Sequence, residues 1–221
     1  MSADTGGVIP ARRRGLAEEV ADRIRDAIFT GAYPPGAALR EVELSAALQV
    51  SRGPVREALL RLEREGLVHS AWHRGTTVTT LSGDDVAELD SLRGALEQLA
   101  VTRVIAHADD EDLAAIERAA EHMTQAGDEH TMVHHDMEFH DAVFAAAHHG
   151  RLREAWEAIR SQVHLFLLTR IGVSAGETYP RHVPAEHREL VAALRARNTV
   201  TALELFATHR RHAFDVLRAE G

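Results

Sequence analysis

Four side chains that could bind a metal ion occupy positions where the helical pattern calls for apolar residues. Asp136 and His140 are four residues apart and share one face of a predicted helix with apolar neighbours. His187 and His209 lie on the apolar faces of two later predicted helices. An unpaired carboxylate buried there would cost several kcal/mol, and a divalent cation bound by all four residues removes that cost. This set without thiolate suits zinc first, with nickel, manganese or iron as alternatives.

Each histidine could instead be a core residue that is hydrogen-bonded to a neighbour, and for any one of them alone that is the better explanation. The chain has 15 His, and pairs such as His134-His135 and His148-His149 show that the residue is simply frequent. The repetition on three helices, always on the inward face, favours a shared site. Both explanations stay open on the pattern alone.

A second group of residues could bind nucleic acid. Arg52 and Arg56 lie four apart near the start of a predicted helix, so they point in the same direction. A guanidinium can engage guanine O6 and N7, or a phosphate, with two parallel hydrogen bonds. The N-terminal end of the second helix is where a helix-turn-helix protein reads base edges. Taken singly, these arginines would be ordinary solvated charges.

The stretch Leu39–Val68 predicts two helices joined by a tight turn, which would position these arginines. Ser51 is expected to cap the second helix with its hydroxyl, and Pro54 is tolerated in the first helical turn. The second helix should end at Gly66. Two short strands around a turn at residues 73–75 predict a β-hairpin wing. The first of the two helices should bury an apolar stripe: Val42, Leu44 and Leu48, with Ala46 and Ala47.

The remainder of the chain predicts a helical bundle, so the fold class is mostly α. Residues 1–10 are small, polar and Gly-rich, which indicates a disordered tail, and an amphipathic helix follows from Leu16 to about Gly31. A new helix should begin after Ser82 as N-cap, and the domain boundary is placed there. About six helices follow, over residues 83–107, 110–126, 130–149, 151–171, 184–197 and 199–219.

Composition narrows the class of protein. The chain has no Cys, which excludes disulfides, thiolate zinc sites and a Cys nucleophile. No apolar run is long enough to span a bilayer and no signal-peptide pattern is present, so a soluble, cytoplasmic protein without a membrane partner is expected. The net charge is −9, but residues 1–80 carry 11 Arg against 10 Asp and Glu. The acidic residues are concentrated in the second part, which leaves the nucleic-acid-binding part near neutral.

The first third of the chain resembles the winged helix of the GntR family of bacterial transcription regulators. The matching residues include Gly31, Pro35-Gly36, Leu39-Arg40-Glu41, the run from Val50 to Leu59 (VSRGPVREAL), Glu65-Gly66-Leu67 and Arg74-Gly75. One departure is Gly53, where the family usually has a small hydroxylated residue. The resemblance implies a DNA-binding domain over residues 11–80. The residues expected to contact DNA are Arg40, Ser51, Arg52, Pro54, Arg56, Arg74 and Gly75.

Residues 82–219 resemble the FCD effector domain of the FadR branch of that family. The resemblance rests on Asp136-x-x-Phe139-His140, Glu186-His187 with Leu190 and Ala193-Leu194, and the late His209. It implies that Asp136, His140, His187 and His209 ligate a metal at the floor of a cavity that receives a small carboxylate. Arg93 also matches and would contact an anionic effector or form a surface ion pair. Gly94 beside it is unusual inside a helix and costs about 1 kcal/mol relative to Ala.

Two functions from different classes remain to be compared. The first is a homodimeric transcription regulator, most simply a repressor, that binds a pseudo-palindromic double-stranded DNA operator and responds to a small organic acid effector. Loss of DNA binding when the effector is added is the default expectation for this regulator. Activation by the effector is the open alternative. The second is a metal-dependent, hydrolase-like enzyme, against which stands the lack of an evident general base. A helical domain that serves only for dimerisation, with histidines as packing, is a further alternative.

Overall fold

The computed structural model describes residues 15–72, 75–173 and 182–218. The mostly helical fold predicted from the sequence is confirmed, with a small antiparallel sheet in the first part and helices in the second. The predicted tail over residues 1–10 lies outside the described residues. The elements of the first part are α1 (Leu16–Phe29), β1 (Ala38–Leu39), α2 (Glu41–Ala47), α3 (Arg52–Arg64), β2 (Val68–Ala71) and β3 (Gly75–Val78).

The two central helices of the first part form a helix-turn-helix. The α2 helix is followed by Gln49, which has a positive φ of 55° and turns the chain toward α3. Ser51 occupies the N-cap position of α3, but its side chain makes no capping hydrogen bond. The prediction that its hydroxyl caps the helix is therefore wrong. The α3 helix ends before Gly66, whose φ of 72° is a conformation that glycine adopts without steric cost.

The sheet contains a strand that the sequence pattern did not predict. Its order is β1-β3-β2, with β3 antiparallel to both neighbours, and Leu39 pairs with Thr76. Leu39 therefore belongs to a strand and not to the following helix. A strand of two residues is too short for an alternating pattern, which is why periodicity could not reveal it. Residues 73 and 74 of the predicted turn lie outside the described residues.

The core of the winged helix is built by α1, α3 and the sheet. Val20, Ile24, Val55 and Leu62 are among the buried residues. Val42 was expected in this core but has 62% of its surface exposed, because the short α2 buries only Leu44 fully. Leu165, which lies far along the chain, also belongs to this core. The first part of the molecule is therefore docked on a helix of the second.

Where the structure describes the second part, it contains six α-helices and one 3₁₀ turn. Their bounds are α4 (Gly83–His107), α5 (Asp110–His122), the 3₁₀ turn (Met123–Gln125), α6 (Glu129–Ala146), α7 (Gly150–Val173), α8 (Val183–Arg195) and α9 (Thr199–Arg218). As predicted, Ser82 is the N-cap of α4: its hydroxyl accepts from the Asp85 amide, and the Asp85 carboxylate accepts from the Ser82 amide. Within the described ranges, no helix is both long and apolar enough to span a bilayer.

Besides Leu165, other side chains on α7 and α6 contact the winged helix. The His164 ring on α7 stacks on Phe29 of α1, with ring centroids 3.7 Å apart. Gln162 packs against Gly66, where a Cβ would lie 2.7 Å from the Gln162 side chain. His130 on α6 packs in the same way against Gly31. A side chain on either glycine would collide with the partner, so both glycines allow the two parts to approach closely.

Candidate metal centre and DNA-binding face

Four side chains from three helices meet inside the bundle. Asp136 Oδ1 lies 3.1 Å from His187 Nε2 and 3.7 Å from His209 Nε2, and Asp136 Oδ2 lies 3.9 Å from His140 Nε2. All four residues are buried, and none is more than 8% exposed. The i, i+4 spacing on α6 directs Asp136 and His140 inward together, while α8 and α9 supply one imidazole each.

The far nitrogen of each imidazole faces an acceptor, which orients the ring. His187 Nδ1 donates to the Val183 carbonyl at 2.8 Å, and His209 Nδ1 donates to Glu186 Oε2 at 3.0 Å. His140 Nδ1 lies 3.3 Å from Glu97 Oε1, at ion-pair distance though without a hydrogen bond. Metal-binding histidines are usually held by such outer contacts, which select the ring orientation and tautomer.

The contact between His187 and Val183 leaves a lone pair aimed at a carboxylate. When Nδ1 of His187 carries the proton for Val183, Nε2 presents a lone pair to Asp136 Oδ1, and no hydrogen bond joins the two atoms. Two acceptors 3.1 Å apart repel each other unless a proton or a metal ion lies between them. Nitrogen and oxygen ligands of one metal are about 3 to 3.4 Å apart when each bond is near 2.1 Å. The residues present therefore fit a divalent cation.

The charges of the cluster favour the protonation states that bind metal. Burial alone would raise the pKa of Asp136, but contact with His187, and the positive charge that His140, His187 and His209 carry when protonated, hold that pKa well below its ordinary value. Burial, and then the nearby Arg93 charge, lowers the pKa of His140, and burial also lowers that of His209. The lowered pKa values of His140 and His209 favour the neutral imidazole, which is the form that binds a metal ion.

Arg93 lies inside this site and not at the surface. Its side chain is 1% exposed, and its Nε donates to Glu97 Oε1 at 2.7 Å. Its Nη2 donates to His140 Nε2 at 2.8 Å, so this hydrogen bond must break before that nitrogen can bind a metal ion. The alternative of a surface ion pair is wrong, because the four-residue spacing on α4 turns both charges toward the bundle interior. A permanent cation therefore borders the Asp/His cluster.

The arginines of the helix-turn-helix share one carboxylate. Arg52 Nη2 donates to Glu41 Oε2 at 2.9 Å, and Arg56 donates to both Glu41 oxygens at 3.0 and 3.1 Å. Both guanidinium groups are more than half exposed at the N-terminal half of α3. Arg40 is exposed and bonds Glu43 Oε1 at 2.9 Å. The arginine pair is thus held at one end of α3, facing solvent.

The other residues expected at this face have differing positions. Ser51 is exposed at the start of α3, with Pro54 half-buried in its first turn. Gly75 begins β3 with a φ of 76°, a left-handed conformation that favours glycine. Arg74 lies outside the described residues, so the structure says nothing of its position.

Comparison with known proteins shows which family the chain belongs to. The family model described as "Bacterial regulatory proteins, gntR family" matches residues 16–78, and the FCD domain model matches residues 88–212. The chain belongs to the GntR family. It is a GntR transcription regulator with an FCD domain, and the family and its relatives are regulators of transcription, not enzymes.

Two curated relatives and one solved structure agree with this assignment. The HTH-type regulator YdhC of Bacillus subtilis is 31% identical over 89% of this chain and 88% of its own. A candidate transcriptional repressor of a D-xylose utilization operon in Paenarthrobacter nicotinovorans is 32% identical over 83% of this chain and 80% of its own. A Rhodococcus sp. RHA1 protein described as a transcriptional regulator GntR has a TM-score of 0.82 at 27% identity, covering 93% of this chain and 99% of its own.

Two carboxylates of this GntR regulator belong to the cluster but were not among the predicted site residues. Glu97 is 2% exposed and contacts both Arg93 and His140. Glu186 binds His209, and the hydrogen bond from His209 is the largest cause that lowers the pKa of Glu186 to about 2. Glu186 could have been suspected from its position beside His187. Its contact with His209 depends on how α8 packs against α9, which the sequence does not reveal.

Proposed function

We propose that this GntR regulator is a homodimeric, metabolite-responsive repressor whose helical domain binds a divalent metal ion and a small organic acid. The single observation that supports this most strongly is the convergence of three imidazole nitrogens on the Asp136 carboxylate in a buried, Cys-free site. The winged helix supplies the DNA-binding half of the function, and the cluster supplies the sensing half. The proposed domains are residues 11–80 for DNA binding and 82–219 for effector binding and dimerisation.

The metal ligands in this proposal are Asp136, His140, His187 and His209. Zinc suits the set best, with nickel, manganese or iron as alternatives, because imidazole and carboxylate bind all of these ions. When bound, the cation would supply concentrated positive charge and open coordination positions. Glu97, Glu186 and the Val183 carbonyl would orient the three imidazoles from behind.

An anionic effector suits this site because the charge around it is arranged for one. Arg93 is buried 2.8 Å from His140 Nε2 and cannot lose its charge near neutral pH. A carboxylate entering the bundle would be attracted by both the guanidinium and the cation. The proposed effector is therefore a small organic acid, with Arg93 as one of its contacts.

The DNA half of the proposal assigns contacts to Arg40, Ser51, Arg52, Pro54, Arg56, Arg74 and Gly75. Two copies of the chain would present two α3 helices to the half-sites of a pseudo-palindromic, double-stranded operator. Because the operator is chromosomal DNA, the regulator would act in the cytoplasm. Effector and operator are linked reciprocally: an effector that weakens operator binding is itself bound more weakly by the operator complex, and by the same factor.

Metal analysis tests the sensing half. Untagged native protein should contain about one tightly held metal ion per chain after dialysis, and the double variant Asp136→Ala/His187→Ala should contain much less. Asp141→Ala is the matched control, since Asp141 lies on the same helix but binds Arg160. Retention of metal by the double variant would overturn the ligand assignment. Absence of metal from the native protein would favour the alternative of a dimerisation module with histidines as packing.

The effector is tested on the same protein by a thermal-shift screen of small carboxylates. A ligand that binds the folded state raises the unfolding midpoint, and the shift should be lost in Arg93→Gln and in the metal-ligand variant. The same compound should release operator DNA in a gel-shift titration. A carboxylate that stabilises Arg93→Gln as strongly as the native protein would exclude Arg93 from the effector site.

A further inference from the structure

We propose that the outer surface of the bundle carries a second site for a divalent transition-metal ion, formed by His122, His135 and Glu138. Among the residues that the structure describes, two carboxylates have three imidazoles within 4 Å. One is Asp136, at the buried cluster, and the other is Glu138. The second site shares no ligand with the first, and it does not depend on the proposed function.

His122, His135 and Glu138 form the outer group. The distances within it are close to those that one metal ion requires. His135 Nδ1 donates to Glu138 Oε2 at 2.8 Å, a hydrogen bond that a bound metal ion would replace, and His122 Nδ1 lies 3.7 Å from the same oxygen. One ligand atom from each of His122, His135 and Glu138 lies within 4.8 Å of both others. Ligands of a tetrahedral zinc ion are about 3.4 Å apart, so small side-chain rotations complete the site.

The group spans two elements that the fold holds together. His122 ends α5, whereas His135 and Glu138 lie three residues apart on α6, which packs directly on α5. Asp136 and His140 point to the opposite side of the same helix, into the bundle. The α6 helix therefore presents one group of ligands to the interior and another to solvent.

A third imidazole borders the outer group. His134 Nε2 lies 3.4 Å from the other Glu138 oxygen, Oε1. His134 also lines the cavity of about 630 Å³ between α1, α6 and α7, which includes Phe29 and His164. A metal ion bound through Glu138 would thus lie near the contact between the winged helix and the bundle.

The chemistry of the group selects the class of ion. Two imidazoles and one carboxylate, without thiolate, favour borderline ions such as Zn²⁺ over Ca²⁺ or Mg²⁺, which prefer oxygen ligands. The side chains of His122 and Glu138 are 53% and 40% exposed. Because solvent reaches the ligands, the ion should exchange freely and be removed by dialysis, unlike an ion held in the buried cluster.

The test is a calorimetric titration of dialysed, untagged, full-length protein with Zn²⁺. The native protein should take up about one more equivalent than the His122→Ala/Glu138→Gln variant. His148→Ala is the matched control, since His148 is an exposed imidazole that binds a single carboxylate, Asp112. Substituting Co²⁺ for Zn²⁺ gives a second readout, because nitrogen and oxygen ligation produces visible absorption that the variant should lack.

The outcomes separate this site from the buried one. If Asp136→Ala/His187→Ala loses its tightly held metal but keeps the extra Zn²⁺ equivalent, the two sites are independent, as proposed. Equal Zn²⁺ uptake by the native protein and by His122→Ala/Glu138→Gln would overturn the second site. That result would leave the proposed repressor function unaffected, since the buried ligands are a separate set.

Discussion

Glu41 positions the two arginines that the proposal assigns to base reading. The hydrogen bonds from Arg56 and then Arg52 lower the pKa of Glu41, so the carboxylate stays ionised and the contact persists over the physiological pH range. The group is too exposed for this contact to add much stability. Its effect is to hold two flexible side chains in one orientation, which reduces the entropy that DNA binding must remove.

Arg56 is expected to contact a base edge of the operator. Replacing Arg56 with Ala should weaken operator binding by about 1–3 kcal/mol and relax sequence preference, because a guanidinium that contacts a base edge is lost. Metal content should not change. Gel-shift titrations against the operator and a scrambled duplex measure both effects.

Arg64 provides the control for this experiment. It lies on the same helix and is exposed, but at the C-terminal end, away from the N-terminal arginine pair. Arg64→Ala should leave sequence preference unchanged. If Arg56→Ala binds the operator like the native protein, the orientation assigned to α3 on DNA is wrong.

At the scale of elements, a glycine explains how α4 and α9 approach each other. A Cβ on Gly94 would lie 2.6 Å from Cζ of Arg210, whose guanidinium packs directly over the glycine. Arg210 Nε donates to Asp90 Oδ1 at 2.7 Å, and its Nη1 lies 3.6 Å from Glu97 Oε2. The unfavourable helix propensity of Gly94 is thus offset by a close contact between helices.

This packing predicts a non-additive pair of substitutions. In an Arg210→Ala background, Gly94→Ala should raise the free energy of unfolding by about 1 kcal/mol, the usual difference in helix propensity. In the native background the gain should be smaller or reversed, because the new methyl group displaces Arg210. Urea unfolding of the four proteins measures the coupling, and strictly additive effects would show that Arg210 does not need the glycine.

At the scale of the whole molecule, His164 joins the winged helix to the bundle. The ring is 1% exposed, stacks on Phe29, and has no hydrogen-bond partner on either nitrogen among the described residues. Burial, and then the Arg160 charge, lowers its pKa to about 3. The charged and titratable groups around it are Arg160 on α7, Arg25 and Asp26 on α1, Asp128 at the N-cap of α6, and His130, His134 and Asp136 on α6.

The lowered pKa of His164 predicts an acid-sensitive fold. The folded state binds fewer protons than the unfolded chain between pH 3 and 6.5, so stability decreases as pH falls below about 6.5 and His164 adds no pH dependence above it. His164→Phe keeps an aromatic ring on Phe29 and should flatten the slope between pH 6 and 4.5 by about 1 kcal/mol per pH unit.

Denaturant unfolding at several pH values measures this slope. Both proteins carry the same remaining histidines and carboxylates, so their contributions cancel in the comparison. Parallel stability curves for the native protein and His164→Phe would contradict the prediction, whatever the offset between them.

Much of the fold could be predicted because apolar spacing reports which face of a helix is buried. The six helices of the bundle were predicted to within a few residues, and the helix-turn-helix followed from the residues around Ser51 and Pro54. Strand β1 and the exposure of Val42 could not be predicted. A two-residue strand has no period, and a two-turn helix buries too few side chains to define its face.

The helix pattern, the family, and the sharing of apolar faces by the imidazoles and the carboxylate could be predicted from the amino-acid sequence, because they depend on local spacing and residue type. The three-dimensional packing was needed to show that Asp136, His140, His187 and His209 meet, that Arg93 and Glu97 are buried beside them, and that α7 docks on the winged helix. Those facts depend on how helices distant in the chain pack against one another. Residue spacing within a single helix does not determine which other helices pack against it.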